Sequence, residues 1–291
     1  MGWIRIQGGD FHERQFTLPS QVVGETGRVF ALQQVAWSGG NGIVLRANRL
    51  TQAGSIDRVC AIKFLRRLDG TRMDRFKNEI RVMRELDCQY VAPFYDCGTV
   101  ALASGPEVPW LATELGGENL RMHVHKVGVL PRKRLVEVAR QLCQAAAHVH
   151  AKGFIHRDIK PANFVWQYGS QDEIQMIDFG IAKKVGEDVS ARPLDQLTQT
   201  LEFVGPVFFS SPELIAYADD KTHPVDHRSD LFQLGKVIWY LACGKVIAGI
   251  PSRACCPCGG KLWEIVMRLL PDEPGERFQT AEETLKAIEA L

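Results

Sequence analysis

The chain has 291 residues, 45% of them hydrophobic and 24% charged, a composition typical of globular proteins. Its length suits one two-lobed unit or two small domains. The 35 Lys and Arg residues nearly balance the 34 Asp and Glu residues, so the net charge of +1 gives no overall field that would attract nucleic acid or a membrane surface. The first residues lack the apolar core of a signal peptide, and no apolar run is long enough to span a bilayer. We therefore expect a soluble, cytoplasmic protein with no nucleic-acid partner, and we find no signal for an oligomeric state.

The first part of the chain has the pattern of a small β-rich lobe. Residues 28–65 alternate β-forming segments with Gly and Asn clusters, which predicts antiparallel strands. Residues 72–87 repeat apolar side chains with a helical period and predict an amphipathic helix. Two more short strands are predicted near 93–99 and 109–114.

Beyond a hinge predicted at Gly116 and Gly117, the chain becomes mainly helical. A long helix is predicted to start after Pro131 and to stop at Gly153. Further helices are predicted at 230–241, at 262–270 and from Thr280 onward. The predicted fold is α+β, with an N-terminal extension (1–25), a small antiparallel β-rich lobe containing one key helix (26–115) and a larger, mainly helical lobe (116–291).

The stretch HRDIKPANF, residues 156–164, is too polar for a buried strand and contains Pro161, so it predicts a loop. Asp158 and Asn163 lie five residues apart around a turn and can face one site, where the carboxylate can accept a proton and the amide oxygen can hold a hard cation. Asp178 ends the apolar segment IQMID and offers a second carboxylate for the same cation. Phosphoryl transfer requires this combination, because its transition state is stabilised mainly by positioning and by cations on the phosphate oxygens.

These segments resemble the motifs of the protein kinase family, specifically of eukaryotic-like Ser/Thr protein kinases. HRDIKPANF resembles the catalytic loop, IDFG the metal-binding motif and CAIK (60–63) the strand that carries the ATP lysine. SSPEL resembles the end of the activation segment, and Arg277 stands where the family has the arginine that pairs with its glutamate, here Glu213. The motifs follow the family's order along nearly the whole chain.

The resemblance implies a two-lobed kinase fold and transfer of the ATP γ-phosphate to Ser or Thr hydroxyls of a protein substrate, with autophosphorylation as an added possibility. It assigns Asp158 as the catalytic base and Lys160 as the cation on the γ-phosphate. Lys63, oriented by Glu79, contacts the α and β phosphates. The implied metal ligands are Asn163 and Asp178, for Mg²⁺ or alternatively Mn²⁺. The implied nucleotide-binding residues are Gly39, Gly42, Val44, Ala61, Lys63, Thr113, Glu114, Leu115 and Val165.

Two positions depart from the family pattern. Trp37 stands where the first glycine of the glycine-rich loop belongs, and Pro206 stands where Ser/Thr kinases usually have a threonine. These departures keep open the alternative of a pseudokinase, a scaffold or allosteric partner that binds nucleotide without efficient transfer. The presence of all five groups that would act in transfer favours the active enzyme, since a scaffold has no need of them. These groups are Lys63, Glu79, Asp158, Asn163 and Asp178.

The activation segment, residues 178–213, offers a regulatory site. In the family, the arginine corresponding to Arg157 commonly pairs with a phosphate in this segment, and Thr198 and Thr200 are the candidate acceptors, followed by Ser190. Ordinary loop threonines are the alternative reading.

The eight cysteines show no disulfide framework, which suits a reducing compartment. The five in apolar segments, predicted to be buried free thiols, are Cys60, Cys88, Cys97, Cys143 and Cys243. Cys255 and Cys258 have the spacing of a zinc knuckle, but a closed site needs two more ligands. The nearby candidates are Cys256, Cys243, His223 and His227. Free or redox-active thiols are the favoured interpretation, and structural zinc is the alternative.

Overall fold

A computed structural model of the chain describes residues 3–6, 16–39, 42–65, 68–102, 107–185, 208–247, 251 and 259–291. It divides into two compact units. Unit 1 comprises Met1–Arg84 and Ala92–Gly116, and unit 2 comprises Glu85–Val91 and Gly117–Leu291. Unit 1 is β-rich and unit 2 is mainly helical, which confirms the predicted α+β class. The exact boundaries given to the extension and the two lobes stay a prediction.

Unit 1 is built on a six-stranded antiparallel sheet in the order β3-β4-β5-β6-β8-β7, and β1 pairs separately with β2. The strands are β1 (Trp3–Ile6), β2 (Phe16–Pro19), β3 (Gln21–Val23), β4 (Val29–Gly39), β5 (Gly42–Leu50), β6 (Ile56–Leu65), β7 (Phe94–Ala101) and β8 (Glu107–Glu114). The strands predicted within 28–65 and near 93–99 and 109–114 are therefore confirmed, whereas β1 to β3 were not predicted.

One face of this sheet carries an apolar core, because successive side chains of a strand point to opposite faces. The register pairs Leu45 with Ile62 and Phe64 with Trp110, so these residues share that face. All four are nearly inaccessible to solvent. Leu18 and Val22, from the segment predicted as an extension, belong to the same buried cluster. The first strands are thus an integral part of the core of unit 1.

The helix predicted at 72–87 is α1 (Gly70–Glu85), the helix of unit 1. It buries an apolar stripe formed by Phe76, Val82 and Met83, as its period predicts. Glu79 lies in the same stripe and is also buried. A carboxylate in such a position requires a partner, which is identified below.

Unit 2 contains six helices in the part of the chain that the structure describes. They are α2 (Leu120–Lys126), α3 (Arg132–Ala151), α4 (Pro212–Asp219), α5 (Arg228–Cys243), α6 (Gly260–Leu269) and α7 (Ala281–Glu289). Helix α3 follows Pro131 and ends just before Gly153, whose φ of 79° suits glycine, so its predicted limits are confirmed. The short α2 and α4 were not predicted. No helix among the described residues is long and apolar enough to cross a membrane.

Short strands complete unit 2: β9 (Gly116–Asn119), β10 (Phe154–Ile155), β11 (Phe164–Gln167), β12 (Ile174–Met176) and β13 (Lys183–Lys184). The glycines predicted to mark a hinge begin β9, which lies beside β11. A Cβ on Gly117 would come within 3.2 Å of the Trp166 carbonyl oxygen, which explains a glycine at this close approach.

Substitution of two neighbouring valines on β3 tests whether the N-terminal strands stabilise the core of unit 1. Val22 is 3% exposed and Val23 is 57% exposed. We expect Val22→Ala to lower the free energy of unfolding by about 1–3 kcal/mol, because it leaves a cavity in the core. The control Val23→Ala should change it by less than about 0.5 kcal/mol. Urea unfolding measures both; equal effects would contradict the assignment of Val22 to the core.

Candidate active site

Unit 1 gathers most of the predicted nucleotide-binding residues on the sheet face opposite the apolar core. Val44 lies directly opposite Lys63, and Ala61 lies opposite Thr113. Lys63 and Ala61 are two residues apart on β6, so all four share one face. Gly42 pairs with Gly39 where β4 and β5 meet, and Leu115 is buried just beyond the end of β8. Antiparallel register thus brings together residues that are distant in sequence.

Lys63 and Glu79 form a partly buried ion pair. The ammonium nitrogen of Lys63 lies 2.7 Å from each carboxylate oxygen of Glu79. Their side chains are 17% and 5% exposed, so water screens this pair much less than a surface pair. The bidentate contact supplies the partner that the buried carboxylate needs and fixes the direction of the lysine chain.

In unit 2, the β11–β12 hairpin brings Asn163 and Asp178 to the same end. Asn163 directly precedes β11, and Asp178 follows β12 by two residues. The strands are antiparallel, so the start of one adjoins the end of the other. The amide of Ile177 donates to the carbonyl of Asn163 at 2.9 Å. Asp178 has a φ of 66°, an unfavourable left-handed conformation of the kind that functional residues often adopt.

Asp158 is surrounded by donors from its own loop. Lys160 Nζ donates to Asp158 Oδ1 at 2.9 Å and to Oδ2 at 2.7 Å. Asn163 Nδ2 donates to Oδ2 of the same carboxylate at 2.9 Å and to its main-chain carbonyl at 2.8 Å. The Asp158 side chain keeps 23% of its surface exposed. It is therefore held in one orientation while remaining accessible.

Helix α5 fixes the backbone of this loop through two side chains one turn apart. Asp230 accepts the amides of His156 and Arg157, each at 2.8 Å. Gln233 accepts the amide of Ile159 at 2.8 Å and donates to the carbonyl of Arg157 at 3.1 Å. The loop on either side of Asp158 is thus bonded to a helix most of whose residues are buried. This arrangement allows Arg157 to hold its φ of 66°.

The Asp230 carboxylate is completely buried and ionised. Burial would raise its pKa, but the hydrogen bond from His150 Nε2 at 2.8 Å, the electrostatic interactions with His150 and His156 and the hydrogen bond from the His156 amide outweigh burial and hold the pKa below its ordinary value. His150 lies on α3, which extends the anchor to a second helix.

The residues around Asp158 pack closely. The rings of His156 and Phe179 lie 4.9 Å apart. The Arg157 guanidinium lies over the Tyr217 ring at 5.3 Å. Burial lowers the pKa of Arg157, although Tyr217 and Asp230 act in the opposite direction.

Arg277 and Glu213 form a partly buried pair in unit 2. Arg277 Nη1 and Nη2 donate to the two Glu213 oxygens at 2.7 and 2.9 Å. The guanidinium also donates to the carbonyls of Pro271, Arg228 and Asp272. Its side chain has no exposed surface. Nearly all its donors are used internally, so this pair is structural.

The side chains at the end of the hairpin fit a divalent cation of the magnesium type. Asn163 uses its amide nitrogen in the bonds to Asp158, so its carbonyl oxygen is the group suited to a metal. Asp178 supplies a carboxylate. The described residues contain no group of three or more His, Cys, Asp or Glu that could hold a metal. Magnesium needs no such cage, because it commonly uses one or two protein oxygens together with substrate phosphates and water.

Several predicted residues lie outside the described part of the chain. They are Ser190, Thr198, Thr200, Pro206, Cys255, Cys256 and Cys258, and the side chain of Trp37. Of the zinc-ligand candidates that are described, His223 is exposed, His227 contacts the Gln279 carbonyl at 2.8 Å through Nε2, and Cys243 is partly buried. The zinc and phosphorylation hypotheses stay predictions.

Cys60, Cys88, Cys97 and Cys143 are free thiols, as predicted, but the burial of the described cysteines differs. Cys60, Cys97 and Cys143 are buried, and burial raises the pKa of both Cys60 and Cys143 to about 12, so these two thiols are unreactive at neutral pH. The prediction of burial is wrong for Cys88 and Cys243, which are only partly covered because they lie at the ends of their segments, after α1 and at the end of α5.

The sequence interpretation missed the residues that position the loop. Asp230 and Gln233 lie in the stretch predicted as a buried helix, and His150 lies in the long helix before the loop. A carboxylate at the start of a helix that is otherwise buried was the available signal, because buried charges require partners.

Fold and site together define a protein kinase domain. The model of the protein kinase domain family matches residues 34–253, and the chain belongs to this family, as predicted. Serine/threonine-protein kinase PknB of Mycobacterium leprae is 29% identical over 227 residues, covering 72% of this chain and 34% of that protein. Probable serine/threonine-protein kinase PknB of Corynebacterium glutamicum is 31% identical over 220 residues, covering 74% and 31% respectively. The Corynebacterium efficiens protein named Serine/threonine-protein kinases drp72 is 28% identical over 280 residues, covering 90% and 50%.

This chain therefore spans about a third to a half of the length of these curated relatives. Members of the family use ATP and a divalent metal ion.

The buried Asp230 carboxylate should make stability depend on pH. Its folded pKa is depressed, so its contribution is fully present above the unfolded pKa of about 3.9 and is lost as pH falls through the lower folded pKa. We expect Asp230→Asn to lower the free energy of unfolding at pH 7 by about 3–5 kcal/mol and to flatten the acid loss of stability below about pH 4. Chemical unfolding at pH 7 and at acid pH tests this, with Asp219→Asn, an exposed aspartate on α4, as control. An acid profile identical to the wild type would contradict the role of Asp230.

Proposed function

We propose that this chain transfers the γ-phosphate of ATP, with Mg²⁺, to Ser and Thr hydroxyls of proteins, including hydroxyls of its own chain. The observation that carries the proposal is the Asp158 carboxylate, which is oriented by Lys160 and Asn163 on a loop anchored to a buried helix. The Ser/Thr specificity is supported by Lys160 and by the names of the curated relatives. The protein substrate and the cytoplasmic location stay predictions.

The residues of unit 2 would act on the acceptor hydroxyl. Asp158 would accept a hydrogen bond from the hydroxyl, align its oxygen with the phosphorus atom and take its proton as the new bond forms. Lys160, already 2.7 Å from the carboxylate, would place a positive charge where the transferred phosphoryl group develops negative charge. Because Lys160 and Asp158 are already in contact, the two side chains would need little rearrangement during the reaction, and such preorganised charges stabilise a transition state most effectively.

Asn163 and Asp178 would hold Mg²⁺, which supplies charge neutralisation for the phosphate oxygens. The alternative Mn²⁺ suits the same oxygen ligands. The Asn163 amide already bonds to Asp158 through its nitrogen, so one side chain would couple metal position to base position.

The residues of unit 1 would hold the nucleotide. Lys63 would donate to the α and β phosphates, and Glu79 would keep its chain pointed toward them. Val44 and Ala61, on the same sheet face of unit 1, would contact the adenine. For Val165 an adenine contact is implied by the family resemblance alone. The main-chain groups of Glu114 and Leu115 would bind the adenine edge beside Thr113.

The assignment of Asp158 as the base can be tested with an isosteric substitution and a matched control substitution. We expect Asp158→Asn to reduce phosphoryl transfer by about 10²–10⁴-fold while ATP affinity changes little, because the base acts on the hydroxyl and not on the nucleotide. The control Asp172→Asn removes an exposed carboxylate from the β11–β12 turn. Purified proteins are incubated with Mg-ATP, and phosphate is mapped by mass spectrometry. Near-wild-type transfer by Asp158→Asn would remove this residue from its role, and ATP binding without transfer by the wild type would favour the pseudokinase alternative.

The lysine assignment is best tested by keeping the charge. Lys63→Arg retains a cation for the buried Glu79, so the fold should survive, but the guanidinium cannot occupy the position of the ammonium. We expect transfer to fall by about 10²-fold from this misplacement, with the melting temperature nearly unchanged. Lys77→Arg, on the exposed face of α1, is the matched control. A large loss of thermal stability with normal specific activity would instead show a purely structural lysine.

A further inference from the structure

The turn between β3 and β4 reaches the opposite edge of the unit 1 sheet. Strands β3 and β7 are the two outermost strands of that sheet. The turn closes through the amide of Gly27, which donates to the carbonyl of Gly24 at 2.9 Å. From its tip, the amide of Glu25 donates to the carbonyl of Cys97 in β7 at 2.9 Å. The turn therefore bonds the N-terminal edge of the sheet to the far edge.

A buried carboxylate on β7 holds this turn in place. Asp96 is 2% exposed and accepts a hydrogen bond from Thr26 Oγ1 at 2.5 Å. It also accepts the amides of Thr26 at 3.4 Å and Cys97 at 2.9 Å. A Cβ on Gly24 would lie 2.2 Å from Asp96 Oδ2, so the backbone of the turn lies directly against the carboxylate. Release of the turn would leave this buried carboxylate without its side-chain donor, which makes release costly.

Helix α1 is fastened at the same place by Arg84. Its Nη2 donates to Glu25 Oε2 at 2.6 Å and to Cys97 Sγ at 3.0 Å. Its guanidinium also lies over the Phe94 ring at 5.7 Å. Burial raises the pKa of the Cys97 thiol, so the sulfur that meets Arg84 at neutral pH is the neutral thiol. We call the Gly24–Gly27 turn, Asp96 and Arg84 the edge clamp.

The edge clamp acts on the helix that carries Glu79. Arg84 lies five residues after Glu79 on α1, and a helix of 16 residues moves largely as a rigid rod. Rotation or sliding of α1 would therefore change the distance between Glu79 and Lys63. The ion pair of Arg84 with Glu25 is about half exposed on both sides and is weak by itself. This ion pair can nevertheless hold α1 in position, because Asp96 fixes the turn that carries Glu25.

We propose that the edge clamp is a positioning device through which the N-terminal strands set the orientation of α1, and with it the contact between Glu79 and Lys63. This inference rests on the proposed function, since it makes the N-terminal segment a determinant of how Lys63 meets ATP. Thr26, Asp96 and Arg84 are positioning residues and touch no substrate. Anything that displaces the turn should lower phosphoryl transfer without altering the groups that perform it.

The first test measures α1 directly and needs no activity. Thr26→Val removes the hydroxyl that reaches Asp96, and Arg84→Met removes the guanidinium while keeping much of its apolar stem. We expect each to speed amide hydrogen exchange in the second half of α1 by about tenfold, because the helix opens more often when one end is released. The matched controls are Thr99→Val, an exposed threonine on β7, and Arg72→Met, whose pair with Asp69 lies at the other end of the helix. Unchanged exchange in α1 would overturn the proposal.

The second test asks whether the effect passes through Glu79. We expect Thr26→Val and Arg84→Met to lower kcat/KM for ATP by about fivefold to tenfold, with the controls unchanged. In a Glu79→Gln background the same changes should cause no further loss in kcat/KM for ATP, because the contact that they disturb is already weakened. Full, additive losses in that background would show that the edge clamp acts by another route and would overturn the proposal.

The two tests separate failure of the edge clamp from failure of the proposed function. If the wild type transfers no phosphate, the kinase proposal fails, and the exchange experiment still decides whether the edge clamp holds α1. If exchange in α1 rises but ATP affinity and transfer stay at wild-type values, the link between the edge clamp and Lys63 is wrong.

Discussion

The geometry of the loop from His156 to Phe164 depends on one buried charge. Asp230 has no exposed surface, yet it stays ionised because its oxygens accept two loop amides and a histidine ring nitrogen. A buried carboxylate tolerates few changes around it, since any lost donor leaves a charge without compensation. This intolerance keeps Asp158 and its neighbours in a single arrangement, including the unfavourable backbone angle of Arg157. The stability of the helix core is thereby used to hold a polar, partly exposed loop in position.

In unit 1 a sheet, rather than a helix, links a packed core to the polar groups of the site. One face is apolar and packs into a core, and the other face presents Lys63 together with Val44 and Ala61. The strict alternation of side chains along a strand makes these two faces inseparable, because a slip of one residue would exchange them. The N-terminal strands complete the apolar face, and their connecting turn meets α1 through Arg84. Core packing and orientation of Glu79 are therefore properties of the same small set of strands.

Much of this could be predicted from local patterns. The period of the apolar residues located α1 and α3 to within a few residues, and the motifs around Asp158 and Asp178 indicated phosphoryl transfer because that chemistry needs a base, oxygen ligands and cations in one site. Other features had no local signature. The strand β3 is only three residues long, and Asp96 looks like any polar residue in a strand until its burial and its contact with Thr26 are known. The burial of Cys88 and Cys243 was misjudged for the same reason, since burial depends on what packs against a segment and not on the segment alone.

The sequence by itself determined which groups are available and in which order along the chain: the lysine of β6, the glutamate of α1, the loop from His156 to Phe164 and the carboxylate that follows β12. These are consequences of local chemistry, since loop, strand and helix signals are short in range. Only the tertiary structure decided which side chains hold those groups, because Asp230 lies more than seventy residues after the two loop amides that it accepts and Thr26 lies seventy residues before Asp96. Such partners are selected by burial and by the requirement that buried polar atoms be satisfied, which only the folded chain defines.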